Sequence, residues 1–425
     1  MSDETSVTTA ASDFAIDSQK QNFSSATQGF ISRLRAGDLG AIPAILSIAV
    51  LVAVFGSART ESFMSVRNLG NLLQQAAPIM VISMAVSFVL LLGEIDLAAG
   101  FTAGVTAAVL AVKLRNQWSL VPTLLLCTGV AIALGIWTGF LVARVGIPSF
   151  VVTLANFLSF QGILLLITKE GGTIGITNKT VNAIEGDNLR PALCWIALVI
   201  AVAAFAASLV SKQRNSGGTI ALSVVVVKVV TLAVIGAFFV QLLSKNRAFE
   251  GAKKKLQGVP YAAPLVIILM LILTFVLNRT AYGRHLYAVG GNAEAARRAG
   301  INVVRIRMSA FVICGFLAGI GGVFLASRSN SVDPQTGGNK TLLLAVGAAV
   351  IGGTSLFGGK GRMLNSLLGG LVLALIENGL PLIGKAKPFG GKQIDFSQSG
   401  VAFIVTGLVL LLAASVDALS RKRTG

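Results

Sequence analysis

Four ionisable residues lie in or beside strongly apolar runs: Glu94, Asp96, Lys228 and Glu377. A charge next to hydrocarbon is costly, so such residues cap helices, form pairs or line the path of a polar solute. Asp96 immediately precedes the apolar run that starts at Leu97, which makes it a candidate helix N-cap. Glu94 and Asp96 are therefore candidates for two roles, helix capping and contact with a transported solute.

A second set of polar and aromatic side chains recurs at helical spacing within one apolar run. Its members are Thr153, Asn156, Phe157 and Gln161. Hydroxyl and amide groups hydrogen-bond a polyhydroxylated solute, and a phenyl ring contacts its apolar faces. Phe within a membrane span also serves packing, so these residues are predicted either to line a solute path or to pack the bundle.

Glu377 and Asn378 are adjacent polar residues inside another apolar run, and Gly379 and Pro381 follow them. Adjacent polar residues in a span face the interior of a helix bundle, and Gly and Pro disturb the helix that carries them. The pattern predicts a helix interruption here, with Asn378 on the solute path.

The Gly-rich run GGTSLFGGKG does not match a phosphate-binding loop. The residue six positions before Lys360 is Thr354 rather than Gly, and Gly361 stands where Ser or Thr would bind magnesium. The sequence has no HExxH or Ser-His-Asp pattern, and its single histidine, His285, has no companion ligands. We therefore expect a chain that is not an enzyme, hydrolyses no ATP, and holds neither a metal nor a cofactor.

A basic polar segment, residues 279–307, separates two apolar runs and contains six Arg against a single acid, Glu294. Within it, Asn292 is a candidate N-cap, Ala293 to Ala299 are good helix formers, and Gly300 is a natural helix stop. A short capped helix between two membrane spans indicates a docking surface for a partner.

These residues belong to a chain that must cross a membrane many times. Of its 425 residues, 54% are hydrophobic and 12% are charged, and the mean hydropathy is +0.80. One soluble core cannot bury that much apolar surface, and the alternation of barrel strands is absent. The sequence predicts an all-α, polytopic transmembrane bundle of about ten to twelve spans. The candidate spans are 41–58, 70–92, 97–112, 119–143, 148–167, 191–211, 219–243, 260–278, 304–327, 341–357, 363–384 and 398–418.

The polar segments define the domain organisation. Residues 1–40 are predicted to be a disordered cytoplasmic tail and residues 41–425 a transmembrane domain, in which 212–258 form an insert. The net charge of +18 comes from residues at span ends, where lipid headgroups are the expected partners rather than nucleic acid. Lys and Arg are equally numerous on the two sides of a twelve-span arrangement, so charge does not orient the chain.

Five ordered motifs resemble the integral membrane permeases of bacterial ABC importers for monosaccharides, the ribose, xylose, arabinose and galactose group. The resemblance covers about residues 65–418 apart from the insert, which itself resembles that of the xylose-type branch. The motifs are GEIDLAAG, IPSFVVTLA, GRHLYAVGGNAEAARRAGI, AVIGGTSLFGGKG and ENGLPLIG.

The resemblance implies that segment 279–307 is cytoplasmic and docks on a separate ATP-binding subunit. The family motif maps to Gly290, Gly291, Asn292, Ala295, Ala296, Gly300 and Ile301. We interpret Ala295 and Ala296 as close-packing contacts to that subunit, with Arg297 and Arg298 as steering charges.

The resemblance also implies the other partners: a periplasmic or lipoprotein sugar-binding protein and a second copy of the permease, in the bacterial inner membrane. The chain departs from the usual GGIDLS-G motif because Glu94 replaces Gly and Ala98 replaces Ser. Permeases for branched-chain amino acids share the architecture, so an ABC permease for such amino acids or for another small polar solute is one alternative. A stand-alone secondary transporter is the other, but it would need more buried ionisable residues than this chain has.

Overall fold

The computed structural model describes residues 40–169, 171–215, 222–248, 251, 255–386 and 393–422, so the predicted tail at 1–40 lies almost wholly outside them. Sixteen α-helices run through these residues. In chain order they are α1 Ile42–Ala58, α2 Thr60–Phe63, α3 Val66–Leu90, α4 Ala99–Arg115, α5 Leu120–Phe140, α6 Ser149–Ile167, α7 Lys179–Gly186, α8 Pro191–Asn215, α9 Leu222–Leu243, α10 Ala262–Arg279, α11 Ala281–Gly291, α12 Ala293–Arg298, α13 Val303–Ser329, α14 Asn339–Ile351, α15 Met363–Ile383 and α16 Ser399–Lys422.

Strands are minimal in the described part of the chain. Ile174–Gly175 (β1) pairs antiparallel with Ser331–Val332 (β2), and Lys385–Ala386 (β3) pairs with Ile394–Asp395 (β4). Each of the twelve predicted spans corresponds to a helix, and eight helices among the described residues are long and apolar enough to cross a membrane. The predicted all-α polytopic bundle is therefore confirmed.

The chain divides into two compact units. Trp195–Phe239 belong to one, the hairpin unit, and Gly37–Cys194 with Val240–Gly425 form the other, the main unit. Within the hairpin unit α8 and α9 approach closely at Gly236, where an added Cβ would lie 2.4 Å from Leu198 Cδ1. The hairpin unit thus begins earlier than the predicted insert, 212–258, because it includes both apolar helices rather than one.

Helices α3 and α13 form the centre of the main unit. Small residues on α13 let its backbone approach its neighbours: an added Cβ at Gly315 would lie 2.6 Å from the carbonyl oxygen of Ala131, and one at Gly322 would lie 2.2 Å from that of Ala103. Without a hydrophobic force between helices in lipid, such close packing is the main source of helix association. These glycines therefore pack α13 against α5 and α4.

Helices α4 and α14 both begin inside the main unit rather than at its end. The chain breaks between Leu90 and Ala99 with Gly93 at φ +74°, and it breaks again before Asn339 with Gly337 at φ +74°. The segments at the two breaks contact each other, because a Cβ on Gly100 would lie 2.3 Å from the carbonyl oxygen of Gly337. The chain therefore turns sharply within GEIDLAAG.

The predicted interruption at Glu377 and Asn378 is wrong. Helix α15 runs through both residues to Ile383, with Pro381 in its last turn. Proline removes the hydrogen bond to the carbonyl four residues back, and the helix continues for only two residues beyond it. Gly379 serves packing instead: an added Cβ would lie 2.3 Å from Cδ2 of Phe55 on α1.

Candidate functional site

Helix α12 has the capped form that the sequence predicts. Asn292 Oδ1 accepts a hydrogen bond from the Ala295 amide at 2.9 Å. At the other end Gly300 has φ +82°, the Ile301 amide donates to the Ala296 carbonyl at 3.0 Å, and the Gly300 amide donates to the Arg297 carbonyl at 3.0 Å. This pair of bonds is a Schellman motif, which requires the left-handed residue that glycine supplies. The preceding helix α11 was not predicted.

The predicted docking residues divide by exposure. Gly291, Asn292, Ala295, Arg297, Arg298 and Gly300 are exposed, Gly290 and Ile301 are half-buried, and Ala296 is buried. Because Ala296 faces the main unit, only Ala295 of the two alanines is available to a partner.

The two arginines of α12 share one acid of their own helix. Arg297 Nη1 lies 3.0 Å from Glu294 Oε2, and Arg298 Nε lies 3.4 Å from Glu294 Oε1. Both pairs are solvent-exposed, so they contribute at most about 1 kcal/mol each to stability. Helix α12 therefore carries one positive charge in excess, and breaking its two ion pairs on docking would cost little free energy.

Three sequence motifs meet beneath α11 and α12, at the end of the main unit that we call the coupling end. A Cβ on Gly290 would lie 1.8 Å from the Leu91 carbonyl oxygen and 2.9 Å from the Gly359 amide. Gly359 in turn donates its amide hydrogen to that Leu91 carbonyl at 2.9 Å. The glycines of GGNAEAARR and LFGGKG therefore let three backbone segments touch, one of them the connection between α3 and α4.

Side chains reinforce this junction. The Tyr287 hydroxyl donates to the Gly361 carbonyl at 2.8 Å, and burial raises the pKa of this phenol while Arg362 lowers it. Glu94 is a predicted path residue, and its Oε1 lies 3.4 Å from Nε of Arg307 in the first turns of α13, with which it forms an ion pair. A displacement of α11 would therefore reach the α3–α4 and α14–α15 connections directly, through the backbone contacts of Gly290 and the Tyr287 hydrogen bond.

Three other predicted path residues have hydrogen-bond partners inside the bundle. Asp96 Oδ1 accepts the Ala98 amide at 2.8 Å, next to the start of α4, and its Oδ2 lies 3.4 Å from the Cys314 thiol. Thr153 Oγ1 donates to the Ser149 carbonyl at 2.8 Å. Asn156 donates to Thr138 Oγ1 at 2.9 Å and accepts from Trp137 Nε1 at 3.2 Å. The predicted capping role of Asp96 is wrong, because Ala98 is the N-cap of α4 and that helix has no side-chain cap hydrogen bond; the contact with the Ala98 amide is an Asx turn that precedes the helix.

The remaining predicted path residues differ in their surroundings. Phe157 packs edge-on against Phe101, with ring centroids 4.8 Å apart, and Gln161 is half-buried on α6. Asn378 forms a reciprocal amide pair with Asn68: each Nδ2 donates to the other Oδ1, at 2.8 and 2.9 Å. A contact of these residues with a solute stays a prediction.

Asn378→Leu is expected to lower the stability of the protein, because it breaks the amide pair with Asn68. The substitution leaves the partly buried Asn68 Oδ1 without its donor, while Asn68 Nδ2 still donates to the Phe63 carbonyl at 3.0 Å; an unsatisfied acceptor of this kind costs about 1–3 kcal/mol. Thermal unfolding of the purified protein measures this, and the double variant Asn68→Leu/Asn378→Leu should be less destabilised than the sum of the two single variants. A changed transport KM with unchanged stability would instead favour Asn378 as a path residue.

A cavity of about 680 Å³ lies between α14, α15 and α16, and apart from Glu377 and Pro381 the sequence interpretation did not single out its lining residues. Lys340 Nζ lies 2.6 Å from Glu377 Oε1 across it. None of the seven predicted path residues lines this cavity, although Asn378 is adjacent in sequence to one that does. Its lining is Gln75, Arg328, Asn339, Lys340, Leu343, Leu344, Glu377, Pro381, Ser397, Ser399, Ala402, Phe403, Thr406, Gly407 and Leu410.

A polytopic bundle with short exposed helices tied to its interior at one end fits a membrane transport component, and the comparisons define its class. The family model described as the permease component of the branched-chain amino acid transport system matches residues 68–414. The chain belongs to this permease family and is a multi-pass protein of the inner membrane.

Individual relatives are similar over nearly their whole length. The xylose transport system permease protein XylH of Escherichia coli is 32% identical over 403 residues, which are 94% of this chain and 96% of the relative. XylH of Haemophilus influenzae is 31% identical over 92% of this chain and 99% of the relative. The ribose import permease protein RbsC of Escherichia coli is 28% identical over 88% of this chain and 92% of the relative. No solved structure matches the chain.

Proposed function

We propose that this chain is the transmembrane permease subunit of an ATP-driven ABC importer that carries a monosaccharide, with a xylose-like pentose favoured. The observation that carries the proposal is the similarity to two XylH proteins over more than nine-tenths of this chain and of each relative. A likeness of that extent includes the coupling end and the cavity together.

ATP hydrolysis would be performed by a separate ATP-binding subunit that docks on α11 and α12. Closure of that subunit on ATP would move α12, and the Gly290 junction would pass the movement to the two helices that begin inside the bundle. The bundle would then change between inward-facing and outward-facing states, because the ATP-binding subunit has different affinities for the two. A sugar-binding protein would deliver the solute at the other end, and two copies of the permease would form the pathway.

Reconstitution tests this function. The chain, its ATP-binding subunit and its binding protein in liposomes should take up labelled D-xylose or D-ribose only when ATP is present. Uptake by the chain alone, driven by a proton or sodium gradient, would contradict the proposal and identify a secondary transporter.

A branched-chain amino acid importer is the second candidate, favoured by the description of the matching family model. ATP-dependent uptake of L-leucine by the same liposomes, with no uptake of either pentose, would establish it.

A further inference from the structure

The charged pair in the 680 Å³ cavity joins the start of α14 to α15. The two helices run antiparallel, since Lys340 lies against Glu377 while, further along α14, the Ala348 carbonyl oxygen would lie 1.8 Å from a Cβ added at Gly369. Lys340 is the second residue of α14, and Glu377 lies six residues before the end of α15, about 9 Å along the helix. The contact therefore lies almost two turns inside the C-terminal end of α15.

The charges of this pair favour water rather than lipid in the cavity. The Lys340 side chain is 60% exposed and the Glu377 side chain 21%, so both are accessible to whatever fills it. Charged side chains within membrane spans face the bundle interior or an aqueous cavity, and they mark solute pathways. Lipid chains would leave this pair next to hydrocarbon.

The backbone beside the cavity supports the same conclusion. Residues 333–338, which lead into α14, are not helical, and the Thr336 and Gly337 carbonyls lie against Gly104 and Gly100 of α4. Non-helical backbone at membrane depth is tolerated only where protein buries it or where it lines water. Broken helices of this kind form the solute sites of many transporters.

The chemistry of the lining decides the class of ligand. A lysine ammonium has three N–H donors and a carboxylate has about four acceptor sites, and the contact between Lys340 and Glu377 uses only one of each. Neighbouring hydroxyl groups fit the remaining donors and acceptors. A zwitterion or an anion would instead compete with a pair that already neutralises itself at 2.6 Å.

The other walls suit the same ligand. Arg328 is attracted by the carboxylates of Glu185 and Glu377, and it adds donors at one side of the cavity. Phe403 presents an exposed ring at the other side. Sites for small molecules combine such apolar walls with a few convergent polar groups, in volumes of about 300–1,000 Å³.

We propose that this cavity is a binding site for a neutral monosaccharide, in which Lys340 and Glu377 hydrogen-bond adjacent sugar hydroxyls; the inference rests on the proposed function and assigns its substrate contact. The site is distinct from the path residues predicted on α6.

Cysteine accessibility tests the cavity directly. The three native cysteines, Cys127, Cys194 and Cys314, are all buried, so an introduced thiol can be labelled selectively. Leu343→Cys places a thiol in the cavity, and Leu408→Cys places one at an equally exposed position of α16 that does not line it. The full chain in lipid nanodiscs is treated with a charged methanethiosulfonate, with or without D-xylose.

The thiol of Leu343→Cys is expected to react faster than that of Leu408→Cys, and D-xylose should slow its reaction. Lys340→Met and Glu377→Gln are then added together to the Leu343→Cys variant, so that neither charge of the pair is left without its partner. Protection of this variant should require about tenfold more D-xylose. Adding Arg115→Met, an exposed residue at the end of α4, should change nothing.

Other outcomes would overturn the proposal. Equal labelling of the two thiols would show that lipid fills the cavity, and this comparison does not depend on the double substitution. Protection by L-leucine but not by D-xylose would assign a zwitterion. If D-xylose fails to protect although the complete importer takes it up, the cavity assignment fails while the proposed function stands. Absence of any monosaccharide uptake by the complete importer would remove the proposed function itself.

Discussion

Gly290→Ala is expected to destabilise the protein and to abolish ATP-driven uptake. The added Cβ would meet the Leu91 carbonyl oxygen at 1.8 Å and the Gly359 amide at 2.9 Å. Both are backbone atoms, which cannot rotate away as the end of a side chain can. Overpacking of this kind costs about 1–3 kcal/mol or more, which outweighs the gain of about 1 kcal/mol that alanine brings to a helix.

Gly291→Ala is the matched control. It changes the next residue of the same helix, gains the same helix propensity, and places its Cβ where no heavy atom lies within 4 Å. Thermal unfolding should therefore remain at the wild-type level. Equal unfolding midpoints for the two variants would show that the close approach of Gly290 to Leu91 does not exist.

The double variant Arg297→Glu/Arg298→Glu should fold normally and fail to retain its ATP-binding subunit. Reversing both charges places three carboxylates on one helical turn, with Glu294 as the third. The lost ion pairs are exposed, so stability should change by no more than about 1 kcal/mol per pair. Like charges facing each other across an interface cost several kcal/mol, so affinity for the subunit should fall at least about tenfold.

Co-purification of the subunit at low and high salt measures this effect. Arg297→Gln/Arg298→Gln separates loss of charge from reversal and should weaken binding less. Arg115→Glu reverses an exposed charge on α4, away from the docking surface, and should have no effect. Retention of the subunit by the charge-reversed variant would mean that α12 is not its docking surface. Because exposed charges are screened, the defect should be largest at low salt.

Local features of this protein were predictable from its sequence. Hydropathy located the apolar helices because a helix that crosses a membrane satisfies its own backbone and needs only a long apolar run. The cap at Asn292 and the stop at Gly300 were predictable for the same reason, since each depends on residues three or four positions away. The interruption predicted at Asn378 is absent, and the helix is unbroken there. Gly379 allows the close approach of Phe55, a long-range contact that a local pattern does not show.

Long-range contacts were decided only by the tertiary structure. No local pattern shows that Leu91, Gly290 and Gly359 touch, or that Lys340 pairs with Glu377 on the next helix. The inward face of Ala296 likewise depends on how α12 packs against the main unit. The sequence by itself determined a polytopic permease with a capped basic helix between two spans. Only the tertiary structure decided what that helix is tied to and where charged residues meet inside the bundle, because both depend on how distant segments pack.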